Sequence, residues 1–185
     1  MTERATAANW HHCHTDGWTY EQVKELDLPF DWELVDGVIS PRGCEDLWHD
    51  CVRDNLRCCF TRALHAPRVA LTQPTLILGT RTFIRPDIAV FDTSGLSVLT
   101  DAYLPVARAE LVVEVVSPLS LSEDRYRRPG LFSEAGVPFH WRVERGADGI
   151  PVLREFRLDG RAGTYEAAAD RPFPIAIDLT SLLEL

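Results

Sequence analysis

Lysine is almost missing from this chain. Lys24 is the only one, and the other eighteen of its nineteen basic residues are arginine. Arginine stays protonated and presents a flat fork suited to phosphate, whereas lysine is a compact ammonium that can lose its proton. Long apolar runs are missing as well: none approaches the roughly 20 residues that span a bilayer, so no membrane partner is expected. The first residues lack the basic-then-apolar pattern of a signal peptide, which makes the cytoplasm the expected location. The five cysteines (Cys13, Cys44, Cys51, Cys58 and Cys59) form no Cys-x-x-Cys pair and are odd in number, so they read as reduced thiols. No Gly-rich phosphate loop and no Gly-x-Ser-x-Gly elbow is present, which removes the commonest nucleotide-binding and serine-hydrolase signatures.

What remains is ordinary for one globular domain: 185 residues, 45% apolar and 25% charged. The formal net charge of -9 argues against a protein that coats nucleic acid indiscriminately. The charge is uneven, however. Residues 1–41 are acid-rich, with only Arg4 and Lys24 against them, while 42–85 carry seven arginines against four acids.

Residues 1–17 are polar and aperiodic and read as a flexible arm, with one domain from 18 to 185. A short helix is predicted over Thr19–Leu26, with Thr19 as N-cap and Gln22 at the capping-box position. Alternation around Asp36-Gly37 predicts a hairpin over Asp31–Ile39. A long helix is predicted from about Glu45 to Leu64, three of the cysteines packing inside it. Strands follow at Val69–Leu78, Asp87–Phe91 and Glu110–Val116. A helix over 120–135 should break or bend at Pro129-Gly130. Further strands are expected at Phe139–Val143, Pro151–Leu158 and Thr164–Ala168, and Ile175–Leu185 should run from an edge strand into a short helical end. The sum is a single α/β domain with a mixed sheet and helices on both faces.

Two segments carry the chemistry. Arg85-Pro86-Asp87-Ile88-Ala89-Val90 and Leu111-Val112-Val113-Glu114-Val115-Val116-Ser117-Pro118 each set one carboxylate in an apolar, β-branched run. A charge in such a strand is costly unless paired or bound to a cation, and two on successive strands suit a divalent-metal site. Mg²⁺ (or Mn²⁺) held by Asp87 and Glu114, with a backbone carbonyl near Val115, would activate water and neutralise a leaving oxygen in phosphodiester hydrolysis. Each carboxylate alone could equally be a strand-end cap or the partner of a buried arginine. Glu33 is a candidate third carboxylate, or an ordinary half-exposed strand charge. His11-His12-Cys13-His14 could bind Zn²⁺ or Ni²⁺, though adjacent residues rarely wrap a closed tetrahedral site. The Arg125-Tyr126-Arg127-Arg128 run could meet phosphates or form a solvated helix face. The five tryptophans show no interleaving with basic residues, so a single-strand stacking platform is unsupported.

Taken with Asp31-Trp32-Glu33-Leu34-Val35-Asp36-Gly37 before them and Ala135-Gly136-Val137-Pro138-Phe139-His140-Trp141 after, the two segments fall in an order that resembles the Uma-type (Uma-two) family of putative restriction endonucleases, in the PD-(D/E)XK nuclease superfamily. The resemblance runs from about Trp18 to the C-terminus. It implies a restriction-endonuclease-like core: a mixed sheet, an N-terminal long helix and a helix after the Glu114 strand. It matches Asp87 and Glu114 to the two motif carboxylates. Val116 stands where many superfamily nucleases have lysine, and Arg128, or Arg127 one register away, stands at the helical position where this family commonly has one. Arg128 then implies a phosphate clamp rather than a general base. Gln73, in Gln73-Pro74, could position water or substrate. His49 reads first as a helix-surface residue and second as a site residue. DNA is the expected partner, and a homodimer would follow from cutting both strands of a duplex. The alternative is a catalytically degenerate nuclease fold that binds nucleic acid or protein without cutting.

Overall fold

The computed structural model describes residues 4–12, 16–101, 103–117 and 123–185. The hairpin forms as β1 (Trp32–Val35) and β2 (Val38–Pro41), and Asp36 and Gly37 both take positive φ between them, the conformation that a two-residue hairpin turn demands. Before it, the short helix α1 (Tyr20–Val23) is capped as its sequence predicts: Gln22 Oε1 accepts from the Thr19 N–H at 2.9 Å and from its hydroxyl at 2.8 Å. Part of the N-terminal arm is packed against the domain. Ala5 is buried beside Trp18 and Leu34, its N–H donates to the Gln22 carbonyl, and the Trp18 indole N–H donates to the Trp10 carbonyl. Cys13 and His14 lie outside the described residues, while His11 and His12 are exposed.

The long helix α2 (Leu47–Ala63) starts at Asp46, whose carboxylate accepts from the His49 N–H at 2.9 Å. Cys51, Cys58 and Cys59 are half-buried along it with free thiols, and Cys59 packs against the core.

The segment predicted as one strand over Val69–Leu78 is two, β3 (Arg68–Thr72) and β4 (Leu76–Gly79), in different sheets. Gln73 sits at φ 48° and Pro74 has no N–H to donate, so the ladder cannot continue through them. Two strands without a sequence signal, β5 (Thr82–Ile84) and β7 (Leu104–Pro105), flank β4. The remaining strands are β6 (Ile88–Asp92), β8 (Ala109–Val115), β9 (Phe139–Arg145), β10 (Pro151–Asp159) and β11 (Thr164–Ala167). They form two mixed sheets where the sequence suggested one: β2-β1-β5-β4-β7 and β11-β10-β9-β8-β6-β3.

Before α3 (Arg128–Glu134) comes a π-helical turn, Glu123–Arg127, that runs into it without a break. Pro129 lies in the first turn of α3, and the irregularity expected near it takes the form of the change from π-helical to α-helical geometry between Arg127 and Arg128. Beyond β11 no strand forms. The tail ends in a 3₁₀ turn, Ser181–Leu183, held on α2 by Asn55, whose amide donates to the Leu182 and Glu184 carbonyls.

The larger sheet is covered on both faces. Val52, Leu56 and Phe60 of α2 pack on Ile88, Val90, Leu111, Val113 and Val115. Phe132 of α3 lies on the opposite face with Ala89, Phe91 and Val112, together with Val35, Leu76 and Ile84 of the smaller sheet. That shared cluster joins the sheets into one core. No helix among the described residues is long and apolar enough to cross a membrane.

Candidate active site

Strand period two decides which charges meet. On β8 the odd residues 111, 113 and 115 face α2, so Glu114 points with Val112 toward α3. Ile88 pairs with Val113, and one further step of that register puts Asp87 opposite Glu114, on the same face. Glu33 shares the face of Val35, which packs in the same cluster. Three carboxylates from three strands thus turn toward the start of α3. Together with Arg128, Arg127, Arg42, Asp124, Glu45 and Val115 they line a cavity of about 210 Å³.

Asp87 is 3% exposed and well satisfied. Its Oδ2 accepts the Val115 N–H at 2.8 Å and lies 3.2 Å from His49 Nε2, while Oδ1 is 3.9 Å from Arg42 Nη2. Its backbone carbonyl accepts the Gln73 N–H at 3.0 Å. Burial works against its charge, but the His49 contact, the Val115 N–H and Arg128 outweigh it and hold the carboxyl below its ordinary range.

Glu114 is the opposite case. Burial pushes its carboxyl well above the ordinary range; Arg128 opposes the shift, and Asp87, Asp124 and Glu33 add to it. Two neighbouring carboxyls are driven apart by their surroundings, the pattern of functional acid pairs.

Arg128 occupies the centre. Its Nη2 is 2.8 Å from Glu33 Oε2, its Nη1 3.0 Å from Glu114 Oε1, and its Nε 3.4 Å from Asp124 Oδ1 one turn earlier. Burial disfavours its charge, yet Glu114, Glu33, Asp124 and Asp87 more than compensate, so the guanidinium is held firmly protonated. The i,i+4 pair of Arg128 with Asp124 is thus buried inside the protein.

The other sequence candidates are placed as follows. Glu33 is 5% exposed rather than half-exposed; its Oε1 accepts the Arg85 N–H at 2.6 Å and lies 3.9 Å from Arg42 Nε. Arg127 lines the cavity and reaches Asp36 at 3.8 Å. Gln73 contributes its backbone to Asp87 and is not among the lining residues. Val115 lines the cavity and gives its N–H to Asp87. His49, read first as a surface residue, is 1% exposed: its place in the first turn of α2 aims it at Asp87, which raises its pKa against the effect of burial. Arg42 was not singled out by the sequence. It follows β2, and only the folded hairpin shows that it reaches both Glu33 and Asp87.

The chemistry of this donor set fits a hard divalent cation. Oxygen ligands on strands face a cavity, and the charge on Glu114 is unfavourable as it stands. Among the described residues no three His, Cys, Asp or Glu side chains converge tightly enough to enclose an ion. The strain on Glu114 gives a stability prediction. Glu114→Gln is expected to raise the thermal midpoint of the metal-free protein, because it removes a charge the fold disfavours while Arg128 keeps Glu33 and Asp124. A thermal melt in EDTA that shows a lower midpoint for the variant would contradict it.

Paired sheets, with carboxylates at adjoining strand ends facing a helix, define an α/β domain with a nuclease-type fold. The chain superposes with a TM-score of 0.68 on the crystal structure of a protein from Anabaena variabilis ATCC 29413 described as a putative nuclease belonging to DUF820. The match covers 89% of this chain and 97% of that one at 14% identity, a likeness of fold. Residues 19–183 match the model of Uma2, described as putative restriction endonuclease, and the chain belongs to that family. No curated protein matches the sequence.

Proposed function

We propose that the protein is a Mg²⁺- or Mn²⁺-dependent endonuclease that hydrolyses phosphodiester bonds of DNA. The observation that carries this reading is the placement of Asp87 and Glu114 side by side on the wall of one cavity, with Arg128 between Glu114 and Glu33.

Asp87, held ionised by His49 and the Val115 N–H, and Glu114 supply the oxygen ligands, with the Val115 carbonyl as a third. A divalent ion bound there would make water more nucleophilic and neutralise the leaving oxygen. Glu33 acts as an auxiliary carboxylate through its hold on Arg128. Arg128 cannot serve as a base. Its two Nη groups form a fork that can leave carboxylates for phosphate oxygens and meet the charge that develops in the transition state. Arg127 and Gln73 would contact the substrate farther out. A duplex cut on both strands calls for two copies of the chain.

One observation favours a second reading. Arg128 already balances Glu114 and Glu33 as a resident cation, so the same geometry suits a nuclease fold that binds nucleic acid or a protein without cutting. A plasmid-nicking assay with Mg²⁺, with Mn²⁺ and with EDTA separates the two. The nuclease reading expects cleavage only with metal, and a loss on the order of 10³-fold in Asp87→Asn, assayed at a temperature where circular dichroism shows the variant folded. No cleavage of any DNA form by the wild type with either metal would sink it.

A further inference from the structure

Four residues lie in one row across four neighbouring strands. Arg154 of β10 pairs with Arg142 of β9, Arg142 pairs with Glu114 of β8, and Glu114 stands opposite Asp87 at the start of β6. Residues directly in register share a sheet face. The two acids of the cavity are therefore continued along that face by two arginines, each step being about 4.8 Å.

A third arginine joins them from the π-helical turn. Arg125 Nε lies 3.1 Å from Glu144 Oε1, Arg142 Nε 2.9 Å from the same oxygen, and Arg154 Nε 3.6 Å from Glu144 Oε2. Three guanidiniums thus share one carboxylate, an excess of positive charge among the described residues. In all three the Nε is the atom nearest Glu144, and that of Arg125 also donates a hydrogen bond to it. Their Nη groups have no recorded ion pair among the described residues, apart from the stacking of the Arg142 guanidinium on Phe156. Two like charges directly opposite on adjacent strands oppose folding; here Arg154 is about half exposed and Arg142 largely covered, and both line a depression of about 340 Å³ whose lining also includes Tyr126. The depression meets the cavity through the chain itself: Arg125 and Tyr126 line the one, and Arg127 and Arg128 the other.

We propose that Arg125, Arg142 and Arg154 form a phosphate track that carries a DNA strand out of the cavity across β9 and β10. This rests on the nuclease reading for the substrate class and adds the direction in which the substrate lies. At roughly 10 Å from Glu114, two strand spacings away, Arg154 would meet a phosphate on the same strand as the one held at the cavity. Planar guanidiniums anchored through Nε present their outer edge to phosphate oxygens.

The test is binding without turnover. A fluorescent DNA duplex is titrated with the full chain in EDTA across a range of salt, using the wild type, Arg125→Ala, Arg154→Ala and, as control, Arg161→Ala in the exposed β10–β11 turn. Arg125 and Arg154 are partly exposed, so both variants should keep the wild-type thermal midpoint. The track predicts binding about five- to tenfold weaker near 0.1 M salt for each of the two, with a salt slope shallower by about one, and no change for Arg161→Ala. Equal effects at all three positions, no effect at Arg125 and Arg154, or no binding by the wild type would each overturn it. Plasmid nicking in parallel separates this proposal from the nuclease reading. Cluster-dependent binding without metal-dependent cleavage keeps the track and removes the enzyme; metal-dependent cleavage with unaffected variants does the reverse.

Discussion

Arg128→Ala is expected to destabilise the metal-free protein by about 3–5 kcal/mol, the usual cost of removing one partner from a buried charge cluster. The reason is the count of charges it leaves behind. Arg128 is the only cation in direct contact with Glu114 among the described residues, and it also holds Glu33 and Asp124. Without it, Glu114, Glu33 and Asp124 lose their shared partner while Asp87 stands beside them, and Arg42, at 3.9 Å from Glu33 and from Asp87, offsets this only in part. A loss of this size is a large part of the 5–15 kcal/mol that holds a domain together.

The same variant should bind a divalent cation more tightly than the wild type, because the guanidinium no longer competes for Glu114 Oε1. Millimolar Mg²⁺ should therefore restore part of the lost stability. Chemical denaturation of both proteins with EDTA and with Mg²⁺ reads the two effects together. A variant as stable as the wild type in EDTA would show that the cluster does not depend on Arg128. A variant that Mg²⁺ leaves unmoved would show that the carboxylates do not act as a cation site.

The two central carboxylates were legible in the sequence because Ile88-Ala89-Val90 and Leu111-Val112-Val113 announce buried strands around them. The folded pairing adds that the strands are neighbours in a register that sets Asp87 beside Glu114. Glu33 was harder to read. A single acid in a short alternating hairpin looks the same whether its face is covered or wet, and only the packing of Val35 with Phe132 shows that this face is covered. His49 and Arg42 depend on contacts across 38 and 45 positions of sequence, to which local periodicity is blind. The sheet count was misjudged for a related reason. β5 and β7 are two or three residues long and gain their identity from β4 rather than from any pattern of their own. Near Pro129 the chain stays helical but changes from π to α geometry one residue earlier, so the proline shifts the form of the helix rather than ending it.

Acid should unfold the protein largely through a residue outside the cavity. His140 is buried on β9 between the rings of Phe132, Phe156 and Tyr165, and its Nε2 has no hydrogen-bond partner. Burial, with Arg142 adding to it, pushes its pKa down to about 3. The native state therefore keeps this imidazole neutral at pH values where the unfolded chain has already protonated it, at an ordinary pKa near 6.5. Between those two values the unfolded state binds more protons, so stability falls as the pH falls. The contribution is complete above pH ~6.5 and is lost progressively toward pH ~3, with roughly 3 kcal/mol gone by pH ~4. Other groups move as well. Asp87, held low, also loses stability in acid, whereas His49, held high, keeps its contribution there. The single variant His140→Phe isolates the effect, because a phenyl ring can keep the stacking on Phe156 and Tyr165 while removing the titration. Unfolding free energies from urea titrations at pH 7 and pH 4 are expected to separate widely for the wild type and by about 3 kcal/mol less for the variant. Equal separations in the two proteins would place the acid sensitivity elsewhere and show that the aromatic enclosure of His140 does not hold it neutral.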